Sequence, residues 1–214
     1  MTTAANSTGV RPGTEQKRRD ILRAAAETFG AKGSTNGTLA DIAEQVGMTH
    51  AGVLHHFGSK QNLLLEVLRF RDRDDVAHLD DQQMPTGPEL FAHLVGTALR
   101  NRERPGIVQV FTVLSAESVT DGHPAREYFE HRYRTLRADV EGAFRALCTD
   151  EGVEDPVAVD HAAAAILAVM DGLQLQWLLE PEAVDLAAAS EFAIQAIVNE
   201  VLRPGPTVAS HTAP

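Results

Sequence analysis

A single cysteine, Cys148, excludes a disulfide within the chain and fits a reducing compartment. Its acidic neighbours near a helix end would raise its thiol pKa, which argues against a nucleophile. Long apolar runs are missing too: the longest, residues 162–170, is far too short to span a bilayer. H-E-x-x-H, G-x-S-x-G, a phosphate-binding glycine loop and a Cys/His set at ligand spacing are all absent. No enzyme, cofactor or metal site is therefore expected. From Glu89 onward there is no strand-like alternation and no hairpin signal. No charged-then-apolar leader opens the sequence, so a soluble, cytoplasmic chain with no membrane partner is the expectation.

The 214 residues, 43% hydrophobic and 23% charged, suit one or two small domains with a sizeable core. The net charge is −11, unevenly spread: residues 1–60 carry seven Lys/Arg against five Asp/Glu, and the remainder 12 against 25. An acidic body would repel DNA and leave only the amino-terminal face against phosphates. The same acidity also serves plain solubility.

Residues 38–64, TLADIAEQVGMTHAGVLHHFGSKQNLL, carry the sharpest pattern. Thr38 and Asp41 have capping-box spacing, and Leu39, Ile42, Ala43 and Val46 recur at helical spacing. Gly47 stands where a turn needs positive φ, and Thr49 is a second N-cap candidate. Val53 and Phe57 continue the buried side. Ala43 supplies the small residue that two steeply crossing helices need at closest approach. A helical hairpin shares some of these features, but the exposed polar set Thr49, His50, His55 and His56 favours a helix-turn-helix with 49–56 as recognition helix. His50 and His55 are five apart, and His55 and His56 diverge by about 100°, which is not metal-ligand spacing.

An all-α fold is expected: a three-helix helix-turn-helix domain joined to a larger helical ligand-binding and dimerisation domain. Its parts are a flexible arm (1–13), the DNA-binding domain (14–58), a connecting helix (59–80), the regulatory domain (81–203) and a disordered tail (204–214). Helix 1 is expected from Thr14 to about Lys32, ended by Gly30 and Gly33, with Ile21, Leu22, Ala25, Ala26 and Phe29 facing the core. Lys17 and Arg18 in its first turns oppose the helix dipole, so phosphate contact explains them better than helix stability. Arg11 in the arm is a weaker candidate. Ser59 caps the connecting helix, with Lys60 at an N-terminus suited to phosphate. The run RDRDD, 71–75, reads as a solvated face.

Five further helices are expected at 89–103, 105–119, 123–149, 156–179 and 185–202, the fourth capped by Asp155 before Pro156. The 105–119 helix is apolar nearly all round and is expected at the centre of the body. The hairpin 156–202 is expected to pair with its copy as a four-helix bundle through Met170, Leu173, Ile194, Ile197, Val198 and Val201; intramolecular core is the alternative. Phe111, Ser115, Tyr133, Asp171, Gln174 and Trp177 are candidates to line a cavity inside the body, or satisfied core residues. Glu117 and Asp171, if buried, call for a cationic ligand or an internal arginine.

Residues 14–68 resemble the amino-terminal domain of the TetR/AcrR family of transcriptional regulators. The likeness rests on Thr38, Ile42, Ala43, Val46, Gly47, Met48, Thr49, Ala51, Phe57, Ser59, Lys60 and Leu63 at the family's spacing. Residues 85–202, with DGLQLQWLLEP at 171–181, more weakly resemble BetI-type carboxy-terminal domains. The resemblance implies a homodimeric repressor that binds a palindromic operator in double-stranded DNA and leaves it when a small effector enters the body. It implies that Thr49, His50, Ala51, Gly52 and His55 face the major groove, while Thr38 and Lys60 hold phosphates. Leu54 departs from the family, which has a tyrosine there; its backbone contact is lost or passes to His55 or His56. Choline, the effector of BetI-type regulators, does not transfer, because no residue aligns unambiguously with its site. An activator with the same head, or an all-helical interaction module, is the alternative.

Overall fold

The computed structural model describes residues 12–79, 81–153 and 156–205. The expected arm through Arg11, the cap Asp155 and the tail from residue 206 lie outside them. Nine α-helices and no strand occur among the described residues. They are α1 (Pro12–Asn36), α2 (Leu39–Gln45), α3 (His50–Phe57), α4 (Lys60–Val76), α5 (Glu89–Asn101), α6 (Pro105–Glu117), α7 (Arg126–Glu151), α8 (Pro156–Leu179) and α9 (Leu186–Leu202). The all-α architecture with an amino-terminal helix-turn-helix agrees with the sequence.

One hydrophobic core joins the helix-turn-helix to part of the body. Ile21, Leu22, Ala25, Ala26 and Phe29 of α1 are buried against Ile42, Ala43, Val53 and Phe57 of α2 and α3. Leu63, Leu64, Val67 and Leu68 of α4 complete that core, which continues into Val110, Phe111 and Leu114 of α6. Each such side chain, taken fully out of water, contributes roughly 1.5–3 kcal/mol before ordering costs. A second core fills the body, from Leu90 and Phe91 of α5 through Val140 and Phe144 of α7 to Ile166 of α8.

The head–body joint corrects two expectations. Helix α6 is not the centre of the body; its most extensive partner is α1, and only Val108, Val110, Phe111 and Leu114 are buried. Gly30 does not end α1 but lies within it, where a Cβ would come 3.2 Å from the backbone nitrogen of Val110. The interruption is at Gly33 alone (φ 73°, ψ 174°), after which the chain resumes a helical turn to Asn36. That left-handed backbone frees Ser34 N–H to donate to both oxygens of Glu117, at 2.9 and 3.2 Å. His123 closes the clasp, its Nε2 2.9 Å from Ser34 Oγ. Because Nδ1 accepts from Ala125 N–H, Nε2 carries the proton and donates to the hydroxyl. Glu117 thus finds its hydrogen-bond partner in the Ser34 backbone amide, with His123 Nε2 3.6 Å away, and needs no cationic ligand.

The expected dimer residues are also redistributed. Met170, Ile194 and Val201 are buried in the body core, with Ile197 and Val198 packed beside them, and Leu173 borders a third small cluster. Helical periodicity located an apolar stripe but not the side that neighbours already cover. The large apolar side chains left exposed on α8 and α9 are Leu175, Leu179 and Phe192, at 48%, 78% and 78%.

Candidate nucleic-acid interface and effector cavity

The recognition helix is held by local chemistry at both ends. Thr38 and Asp41 cap α2 reciprocally: Asp41 N–H donates to Thr38 Oγ1 (3.1 Å), and Thr38 N–H to the Asp41 carboxylate (3.0 Å). That backbone bond from Thr38, then its hydroxyl and Lys32, hold the Asp41 carboxyl below its usual pKa. Thr49 caps α3, accepting from Gly52 N–H at 3.1 Å. Val53 and Phe57 pin α3 to the core, leaving Thr49, His50, Ala51 and His55 exposed. Gly52 is half-buried; a Cβ there would press on the Met48 methyl (3.1 Å) and Thr49 Oγ1 (3.3 Å), so crowding inside the motif favours glycine there. Leu54 is half-buried and packs on the head core.

Two cations read as phosphate contacts have intramolecular partners. Arg18 donates to the carbonyl of His56 (2.9 Å) and to Glu66 (2.8 Å), and its guanidinium lies 4.3 Å from the Phe57 ring centroid. It fastens the carboxy-terminal end of α3 to α1 and α4, where a cation also suits the helix dipole. Lys17 is exposed one residue earlier. Lys60 is half-exposed at the start of α4 and donates to the Thr35 carbonyl at 3.0 Å. Burial, then the neighbouring His55, Arg18 and Lys17, lower the pKa of His56 and so disfavour its charged form.

The run at 71–75 is the largest correction. Only Arg73 and Asp74 of the run are exposed: Arg71 and Asp75 are 5% and 3% exposed and pair at 2.8 Å. Arg104 at the start of α6 pairs with Asp74 and Asp75, and Arg132 of α7 with Asp72. Tyr128 O–H donates to Asp72 at 2.6 Å. Burial alone would raise the Asp75 carboxyl, but Arg71, Arg104 and Arg132 outweigh it and hold its pKa below the ordinary value. Sequence reading missed this because the partners lie 29 to 60 positions away. The only local signal was the alternation of Arg and Asp on a helix otherwise apolar on that side.

Four of the six expected cavity residues meet. Phe111, Tyr133, Asp171 and Gln174 line a narrow cavity of about 50 Å³ beside Arg71 and Arg132. Ser115 does not; its hydroxyl donates to the Thr112 carbonyl and it borders an outer groove. Trp177 does not either, being buried with Ala98, Val108 and Leu186. Tyr133 O–H donates to Asp171 at 2.5 Å. Burial raises the pKa of Asp171, and the Tyr133 hydroxyl with Arg71 and Arg132 only partly offsets it. Helix α4 runs from Lys60 to this cavity wall, about 16 Å along its axis to Arg71.

Known proteins resemble the chain in sequence and in fold. Residues 21–67 match the family profile of the bacterial regulatory proteins of the tetR family, and residues 89–202 that of the carboxy-terminal domain of BetI-type transcriptional repressors. The HTH-type transcriptional regulator BetI of Agrobacterium fabrum is 31% identical over 178 residues, covering 81% of this chain and 82% of that protein. TtgR of Pseudomonas putida is 25% identical over 183 residues, covering 80% and 85%. Among solved structures, SmeT in complex with triclosan superposes with a TM-score of 0.72 at 20% identity, covering 93% of this chain and 98% of that one. SmeT is the repressor of a Stenotrophomonas maltophilia multidrug efflux pump. FadR of Bacillus subtilis with stearoyl-CoA gives 0.69 at 16% identity, covering 84% and 97%. The chain belongs to the TetR family of bacterial DNA-binding transcriptional regulators.

Proposed function

We propose that the chain is a cytoplasmic homodimeric repressor, released from a palindromic operator when a small effector occupies the body cavity. The observation that carries the reading is α3 itself: capped by Thr49, anchored by Val53 and Phe57, and presenting Thr49, His50, Ala51 and His55 outward. Those side chains read base edges in the major groove, where hydroxyl and imidazole groups match base donors and acceptors. Thr38, Lys60 and exposed Lys17 take phosphates. Arg18 and Leu54 support α3 from behind, and His56 lies at its edge. Leu175, Leu179 and Phe192 provide an apolar face on α8 and α9 for the second copy, which a two-turn recognition helix needs for specificity. Effector release requires that the ligand prefer the state in which the two heads no longer fit adjacent grooves. Arg71 and Asp75 link the cavity to the helix that carries Lys60, which gives such a preference a path.

Selection of bound duplexes from a random pool tests the reading. The expected product is a palindrome whose binding weakens steeply with salt, and Lys60→Ala should reduce the salt slope by about one. Phe192→Glu should yield monomers in sedimentation and lose the palindrome preference. Absence of any enriched, salt-sensitive duplex would sink the DNA-binding assignment of these residues.

A further inference from the structure

The body cavity does not stand alone. Between the end of α6 and α7 runs an outer groove of about 560 Å³, lined in part by Phe129, Tyr133, Arg134 and Arg137. Tyr133 borders both spaces, and its hydroxyl donates to Asp171 on the inner side. Joined, the two spaces reach the size of ordinary small-molecule sites, whereas the inner cavity alone does not.

The charges around this path run against the rest of the body. Residues 61–214 carry twice as many acidic as basic side chains, yet the groove holds three arginines and one carboxylate, Glu130. Arg126 is neutralised by Asp121 and Glu130. Arg134 and Arg137 are exposed and have no ion-pair partner among the described residues. Inside, Arg132 borders the cavity, and its Nε is buried without a hydrogen-bond partner among the described residues. A buried donor left unmade is costly, so an acceptor that reaches it gains more than an ordinary hydrogen bond.

A cationic guest fits the same walls poorly. The Phe111 ring that would attract an ammonium already carries Arg71 at 4.4 Å and Arg132 at 5.3 Å from its centroid. Asp171 is the bordering carboxylate without an ion-pair partner among the described residues, and burial raises its pKa, which disfavours the charge a cationic guest would need.

We propose that the effector is an amphipathic monocarboxylate, which enters along Arg134 and Arg137 when Tyr133 leaves Asp171. Its carboxylate is held on Arg132 Nε, and its apolar body lies among Phe111, Leu136 and Met170. The assignment gives a chemical class to the effector of the release reading above and rests on that reading for its consequence, though not for binding itself.

Hexanoate, hexanamide and hexyltrimethylammonium share one apolar body and differ in the head, so calorimetric titration of the full chain with each tests the claim. Hexanoate should bind about tenfold more tightly than the amide, and the ammonium should not compete. Arg134→Ala with Arg137→Ala, both at the surface and harmless to folding, should weaken hexanoate about threefold and flatten its salt dependence. Equal binding of the amide, tighter binding of the ammonium, or no heat with millimolar hexanoate overturns the proposal. Anisotropy of the selected duplex separates the two readings. Hexanoate that binds without releasing DNA keeps the anion assignment and defeats release; release by the ammonium alone does the reverse.

Discussion

The head and the body of this chain are held together by different kinds of chemistry. In the head, α2, α3 and α4 are each capped by the residue just before them, Thr38, Thr49 and Ser59, with donors three positions on. In the body, three helices meet around Arg71, Asp72, Asp75, Arg104 and Arg132, whose pairings between helices cross 29 to 60 positions of sequence. Local caps fix the shape of each element whatever packs on it. A buried ionic cluster is satisfied only in one arrangement of all its helices, so it reports on their relative placement. The proposed release by an effector would use that difference: the head's helices are each fixed by a local cap, while the body has a discrete, breakable set of pairs.

The largest effect that would break this contrast is loss of Arg71. Arg71→Met leaves buried Asp75 and half-buried Asp72 with fewer partners, and urea unfolding should show a loss of about 3 kcal/mol or more. Pairing it with Asp75→Leu should recover part of that loss, because the uncompensated charge goes too. If the double variant is no better than the single, Asp75 has enough partners in Arg104 and Arg132 and the cluster is not cooperative.

Arg18 is the place where the head departs from local chemistry. Arg18→Ala removes two hydrogen bonds and the contact over Phe57. Since the side chain is 34% exposed, screening reduces the expected loss to about 1–2 kcal/mol. Operator affinity should fall with it while the salt slope stays unchanged, unlike Lys60→Ala. A slope reduced by one would return Arg18 to the phosphates.

Thr49→Ala tests the local side, with about 1 kcal/mol of stability expected to be lost. Thermal unfolding of this variant should leave the body's transition midpoint close to the parent's if the caps act only on their own helices. A larger loss would mean that α3 also carries part of the head–body packing.

What was legible in the sequence follows the same division. The capping pairs, Gly47, the buried faces of α1 to α4 and the starts of α5 to α9 all lie within a few positions of their cause. Gly30 was misread because a glycine in a helix signals an end as well as a close approach, and only Val110 distinguishes them. The 71–75 run was misread because alternating charge looks the same on a surface and in a buried cluster until α6 and α7 are in place. Phe111, Tyr133, Asp171 and Gln174 were found as polar or aromatic residues stranded in apolar helices, and Ser115 and Trp177 shared that signal without the location. The expected dimer stripe shows a related ambiguity: Met170 and Ile194 have the periodicity of an interface and are buried in this chain's own core, the alternative the sequence left open.

The smallest effect separates two carboxylates that border one cavity. Asp75 is held below the ordinary 3.8 by three arginines after burial is overcome, so the folded state binds fewer protons than the unfolded one below that pH. Its contribution is therefore present above 3.8 and is lost as pH falls through the lower folded pKa. Asp171 is raised above 3.8 by burial, with Tyr133, Arg71 and Arg132 opposing, so the folded state binds more protons above 3.8. Its contribution is present below 3.8 and is lost as pH rises through the higher folded pKa. Urea unfolding of Asp171→Asn across the acid range should accordingly lose less stability than the parent as pH rises from about 4. Asp75→Asn should instead flatten the profile on the acid side, whatever its overall cost. The same direction of change in both variants would mean that the arginines do not distinguish the two groups, and the cavity would then have no preferred sign for its guest.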